Sequence, residues 1–178
     1  MNAPLFTDVA TLRSRARQHV ECGAVTVNYQ ADLPTVLRLL DEALATELVC
    51  ALRYRRHYFM ASGIHAQAVA QEFLEHSNEE LAHADRIARR IVQLGGEPDM
   101  SPDSLSGRSH AEYVAGRSLL EMIHEDLVAE RVAIQSYGEI VRYIGDDDPT
   151  TRQLFVDILA VEETHAEELV TLLQRLAP

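Results

Sequence analysis

Glu80-Leu81-Ala82-His83 and Glu162-Glu163-Thr164-His165 are two copies of one pattern, Glu-x-x-His, and they set the architecture of the chain around them. On a helix, residues three apart share a face with Cβ atoms about 5–6 Å apart, so each copy can offer a carboxylate and an imidazole to one metal ion. Each copy has a partner upstream: Glu47 stands 33 residues before Glu80, and Glu130 stands 32 residues before Glu162. Tyr54 and Tyr137 each follow the lone glutamate of their half by seven residues. The two halves therefore repeat one plan, a helix carrying a single Glu followed by a helix carrying Glu-x-x-His.

Apolar periodicity extends each motif into a long helix. Asp32-Leu33-Pro34 reads as an N-cap followed by an early-turn proline, opening a helix that runs to about residue 62 and stops at Gly63. Its stripe is Val36, Leu40, Ala43, Glu47, Cys50 and Tyr54. A second helix, over about 66–94 and closed by Gly95-Gly96, carries Val69, Phe73, His76, Glu80, His83, Ile87 and Ile91. Residues 95–109, rich in Gly, Pro, Ser and Asp, read as a loop. A third helix is expected over 110–144, with Ile123, Leu127, Glu130, Ile134, Tyr137 and Val141 on its stripe and Gly145 as its stop. Asp148-Pro149 opens the fourth, which carries Phe155, Ile158, Glu162, His165, Leu169 and Leu172. The expected fold is all-α, a four-helix bundle over 33–178 preceded by an N-terminal arm, 1–32, with a short helix over 7–21 and an extended stretch over 24–29.

Glu47, Glu80, His83, Glu130, Glu162 and His165 thus all fall on core-facing stripes. An unpaired carboxylate in a core protonates or finds a cation, so four of them call for compensation. Two divalent ions would balance four carboxylates, with the histidines bound as neutral imidazoles. This is the ligand inventory of di-iron and di-manganese carboxylate bundles. The tyrosine hydroxyls of Tyr54 and Tyr137 are placed to support the glutamates. Glu75, Glu79, Glu163, Glu167 and Glu168 read as solvated surface, and His57, His76, His110 and His124 as ordinary polar or packed residues rather than ligands.

The rest of the composition narrows the function classes. With 178 residues and 47% hydrophobic content the chain can bury the core of one domain. Its 28 acidic residues outweigh 16 basic ones, all Arg, for a net charge of −12, which disfavours nucleic acid and suits attraction of cations. Arg13, Arg15 and Arg17 on the arm are the one basic feature that could touch DNA, although packing against the domain or a neighbour is the expected role. Cys22 and Cys50 form no Cys-x-x-Cys pair and are expected as reduced thiols. No signal sequence and no membrane-length apolar run is present, so a soluble cytoplasmic protein is expected.

Over about 33–176 the chain resembles the ferritin-like superfamily, and within it the bacterioferritins and the Dps-like mini-ferritins. The resemblance is carried by Glu47-Leu-Val-Cys-Ala-Leu-Arg-Tyr54, Glu79-Glu80-Leu-Ala-His83-Ala-Asp85, Glu130 and Ile158-Leu-Ala-Val-Glu162-Glu163-Thr-His165. It implies that Glu47, Glu80, His83, Glu130, Glu162 and His165 are the ligands of a dinuclear ferroxidase centre, with Glu80 and Glu162 bridging and Tyr54 beside it. Two iron ions per subunit are implied, with manganese or zinc as possible substitutes. Leu81 stands where haem-binding bacterioferritins carry methionine, so no haem is expected. The sequence runs only 13 residues past His165, to Leu176-Ala177-Pro178, and no fifth C-terminal helix is expected.

The implied activity is oxidation of Fe(II) by O2 or hydrogen peroxide, with ferric mineral deposited in a hollow shell. A dinuclear manganese catalase or rubrerythrin-like peroxidase uses the same ligands and is the alternative; a DNA-protecting Dps-type protein is the second alternative. Leu37, Leu44, Leu48, Leu52 and Phe59 give the first long helix a further apolar face, which predicts a homo-oligomer. Resemblance to the mini-ferritins sets its size at twelve subunits.

Overall fold

A computed structural model describes residues 7–63 and 66–176, which form α1 (Val9–Arg15), a 3-10 turn (Val20–Cys22), α2 (Leu33–Met60), α3 (Ala66–Gln93), α4 (Pro102–Arg108), α5 (Leu119–Ile144) and α6 (Pro149–Leu176). The four long helices make the bundle: α2 packs on α3, α5 packs on α6, and the two pairs meet through α2 against α5 and α3 against α6. Among the described residues there is no strand, and no helix is long and apolar enough to cross a membrane.

Each long helix is bounded by local chemistry. The Asp32 carboxylate caps α2 by accepting from the Thr35 amide at 3.3 Å. At the end of α3 the chain reverses through Gly95, whose φ of 81° favours glycine, and the Gly96 amide returns to the Ile91 carbonyl at 2.9 Å. Ser118 Oγ accepts from the Glu121 amide at 3.2 Å while the Glu121 carboxylate accepts from the Arg117 amide at 2.9 Å, a reciprocal cap that opens α5. Asp148 opens α6, accepting from the Thr151 amide at 2.9 Å. The same carboxylate accepts from Arg90 at 2.8 Å and from the Tyr29 hydroxyl at 2.9 Å, so one cap ties α3 and the N-terminal arm to α6.

Four expectations change. Pro102, just inside Ser101, starts the short helix α4 within a stretch expected to be a loop over 95–109. Arg108 locks α4 to α2 by donating to the Asp41 carboxylate at 2.9 Å and to its carbonyl at 3.0 Å, while Leu105 packs with Ala45 and Val49. The third long helix begins at Leu119 rather than 110, because the Ser118 cap and the turn at Gly116 fix its start. Residues 24–29 are turns and not extended, with Val25 bonded back to Cys22 and Tyr29 back to Thr26. The short arm helix ends at Arg15, leaving Arg13, Arg15 and Arg17 exposed; residues 1–6 of the arm and 177–178 lie outside the described residues.

The second apolar face on α2 also divides. Leu44 belongs to the bundle core and Leu37 and Leu48 pack against it, whereas Leu52 and Phe59 are 57% and 73% exposed. Cys22 is exposed, Cys50 is buried, and both are free thiols.

Two apolar layers fill the bundle. One contains Leu40, Ile87, Ile140, Phe155 and Ile158; the other contains Val69, Phe73, Met122, Ile123 and Leu169. Each such side chain contributes about 1.5–3 kcal/mol on burial, enough in sum to offset a costly polar layer between them.

Candidate metal centre

That layer contains all six groups of the doubled pattern. Glu47 comes from α2, Glu80 and His83 from α3, Glu130 from α5, and Glu162 and His165 from α6, and every one of them is buried. Their helical spacing turns them inward, and the antiparallel packing of each helix pair brings the lone Glu level with its Glu-x-x-His.

The ligand atoms fall into two overlapping groups. Single atoms of Glu47, Glu80, His83 and Glu162 lie within 4.8 Å of one another, and so do single atoms of Glu80, Glu130, Glu162 and His165. Glu80 and Glu162 are common to both. His83 Nδ1 lies 3.2 Å from Glu47 and 3.0 Å from Glu162, and His165 Nδ1 lies 3.3 Å from Glu162, 3.5 Å from Glu80 and 3.9 Å from Glu130. Glu80 Oε1, both Glu162 oxygens and His165 Nδ1 are buried without a hydrogen-bond partner. Buried polar atoms are nearly always paired, so four converging orphans mark a place for an ion.

Electrostatics point the same way. Burial, then repulsion by Glu162, raises the carboxyls of Glu80 and Glu130 well above the usual range. Burial also pushes Glu162 upward, but the attraction of the His165 and His83 rings beside it outweighs this and holds the carboxylate at about 2. Burial works against charge on His83, yet Glu162 and Glu47 raise it to about 9, and Glu162 and Glu79 likewise raise His165. Without metal the cluster therefore holds protons in place of cations.

A shell of supporting contacts fixes the ligands. The Tyr54 hydroxyl donates to Glu130 and the Tyr137 hydroxyl to Glu47, each reaching across from α2 to α5 or back. Burial and those glutamates raise both phenols, which stay protonated donors.

Three residues expected to be incidental belong to the surroundings of the centre. Glu79 is half-exposed, yet its carboxylate meets His165 Nε2 at 2.6 Å and so orients Nδ1 toward the cluster. His76 is buried, with its ring stacked on His165 at 4.0 Å between centroids and its Nε2 2.9 Å from Glu168. These pairings join α3 to α6, and no spacing within one helix signals them. His57 is packed, as expected, in a separate network with Asp126, and His124 is exposed.

The chain is similar to known proteins. Residues 37–177 match the ferritin family, described as a ferritin-like domain. A bacterioferritin from Brucella melitensis is 34% identical over 146 residues, covering 81% of this chain and 86% of its own. A DNA protection during starvation protein from Pyrococcus furiosus is 30% identical over 146 residues, covering 79% of each. Among solved structures, a dodecameric thioferritin, the bacterioferritin-related protein from Bacteroides fragilis, superposes with a TM-score of 0.79 at 29% identity, covering 82% of this chain and 88% of its own.

Proposed function

The chain belongs to the ferritin-like family, and from that premise we propose that it is a mini-ferritin that oxidises Fe(II) with O2 or hydrogen peroxide and stores the ferric product. The observation that carries this is the set of orphaned buried atoms on Glu80, Glu162 and His165, lying where two four-residue groups overlap. In this reading Glu47 and His83 hold one Fe(II), Glu130 and His165 hold a second, and Glu80 and Glu162 hold both.

Iron is the substrate, and the protein supplies position and charge. Carboxylates are hard oxygen ligands suited to the ferric product, and four of them balance two divalent ions. Tyr54 and Tyr137 keep Glu130 and Glu47 turned inward, and Glu79 holds the His165 ring with Nδ1 free to ligate. Loading displaces the protons that Glu80, Glu130 and the histidines hold, so binding releases protons and strengthens as pH rises. Two Fe(II) ions give up two electrons, which with two protons reduce O2 to hydrogen peroxide, or hydrogen peroxide to two waters.

The protein assembles, in this proposal, into a shell of twelve subunits, supported by the dodecameric description of the Bacteroides fragilis relative and by exposed Leu52 and Phe59. The carried-over substitution at Leu81 predicts no haem, which the absence of a Soret band in pure protein would check.

Aerobic Fe(II) should be oxidised faster than in buffer, and the iron should remain with the oligomer. Oxidation no faster than in buffer overturns the proposal; with no retained iron, rapid release of O2 from hydrogen peroxide favours a dinuclear manganese catalase, and reduction of hydrogen peroxide to water by an added electron donor without O2 release favours a rubrerythrin-like peroxidase. The Pyrococcus furiosus relative's name supports a second reading, DNA protection, for which Arg13, Arg15 and Arg17 are exposed. A net charge of −12 opposes it, and a gel shift at physiological salt tests it.

A further inference from the structure

The dinuclear cluster is nearly two-fold symmetric, and its flanks are not. Counting from the two Glu-x-x-His copies, His76 on α3 corresponds to Ile158 on α6, Glu72 corresponds to Leu154, and Glu168 on α6 corresponds to Arg86 on α3. On one flank the chain places Leu154 and Ile158 in the apolar core, with Arg86 paired to Asp157 at 2.9 Å. On the other it places a histidine and two carboxylates. Single ligand atoms of Glu72, His76 and Glu168 lie within 4.8 Å of one another.

We infer that Glu72, His76 and Glu168 form a third metal site, mononuclear and suited to divalent transition-metal ions, on one flank of the dinuclear cluster. His76 makes this more than a patch of surface acid. It is 2% exposed, and its Nε2 is turned to Glu168 at 2.9 Å. Nε2, the nitrogen turned to Glu168, is the ligand atom it offers an ion, and its stacking on His165 fixes the plane of the ring. Imidazole with two carboxylates is the donor set that first-row divalent ions favour, and its charge of −2 matches one such ion.

Access is open. Glu72 and Glu168 line a surface cleft together with Thr171, Leu172 and Arg175. Burial and then repulsion from Glu168 and Glu75 raise the Glu72 carboxyl, and Arg175 offsets only part of this. A cation entering between the carboxylates relieves that repulsion and leaves ligand positions for water.

Equilibrium dialysis of the assembled full-length protein against Zn(II), which is redox-inert, tests the site. The double variant Glu72→Gln, Glu168→Gln touches none of the six residues of the centre and should bind one zinc ion fewer per chain than the wild type. Zinc-soaked wild-type crystals should show an anomalous peak between Glu72, His76 and Glu168 that the variant lacks. An unchanged zinc count overturns the site. The zinc that remains in the variant reports on the six-residue centre separately, so its absence there would overturn the proposed function and not this site.

Discussion

Two buried polar clusters share α2 and α5, and they solve the cost of buried charge in opposite ways. Arg53, His57 and Asp126 form the first. Arg53 Nε donates to one Asp126 oxygen at 2.8 Å and His57 Nδ1 meets the other at 2.8 Å, while Arg53 Nη1 donates to the Glu112 carbonyl at 2.9 Å, Arg53 Nη2 to Cys50 Sγ at 3.8 Å, and His57 Nε2 to the Ala115 carbonyl at 3.0 Å. That network closes on itself and fastens the segment before α5 to α2. One turn further along α5, Glu130 and its five companions form the second cluster, which leaves four atoms unpaired. Depth is the same in both cases, so burial alone does not mark a functional site. The difference is completeness: a structural cluster spends its polar atoms on each other, and a binding cluster holds some back.

The largest effect should come from opening the closed cluster. Asp126→Ala leaves Arg53 buried without its carboxylate and should cost about 3–5 kcal/mol, lowering Tm by roughly 10 °C with or without metal. A thermal scan showing no loss would mean that the network is ornamental and the contrast false.

Next comes the open cluster. Glu80→Gln keeps the volume but removes a shared carboxylate, and stopped-flow Fe(II) oxidation should fall more than about 100-fold. Metal-free Tm should hold or rise, because Gln stays neutral in the buried cluster without having to keep a proton. Loss of stability with oxidation intact would reverse the roles assigned to the two clusters.

A smaller change sharpens the picture from outside the ligand set. Glu79→Gln weakens the orientation of His165 and should lower Zn(II) affinity by about 10–100-fold, measured by competition with a chelating dye. An unaltered affinity would return Glu79 to the solvated surface.

A last test of the open cluster is pH dependence without metal. Glu80 and Glu130 keep protons that the unfolded chain releases near pH 4.5, so folded protein holds more protons and stability falls as pH rises above that value. His83 adds to the fall, since its contribution is complete below 6.5 and is lost as pH climbs through about 9. Glu162 contributes fully above 4.5 and loses its share only as pH drops toward 2, outside this window. Metal-free Tm should therefore decline steadily from about pH 5 to about pH 9, and Zn(II) should reverse the slope, because metal binding displaces those same protons. A metal-free Tm that rises over that range would contradict the protonated cluster.

The positions of the six cluster residues were legible in the sequence because a 3.6-residue period places Glu47 or Glu80 on a stripe regardless of what lies opposite. The long helices were legible for the same reason, down to their caps at Asp32 and Asp148. Cross-helix partners were not. Glu79 and Glu168 look like any exposed glutamate until α6 is laid beside α3, and only then do they meet His165 and His76. Helix α4 was hidden because Pro, Ser and Asp both open helices and fill loops, and its stability comes from Arg108 and Leu105 docking on α2 rather than from its own seven residues.

Tyr54 and Tyr137 exchange their hydrogen bonds, each tyrosine serving the glutamate of the opposite half. A helical hairpin of half this length, paired with a second copy of itself, would close the same circuit. The chain is thus arranged as a dimer fused into one gene product, and fusion lifts a constraint that dimers cannot escape. In a true dimer every substitution lands twice, on both sides of the axis. Here His76 can stand on one side while Ile158 keeps the other dry, so one half is free to acquire a new trait while its twin preserves the old.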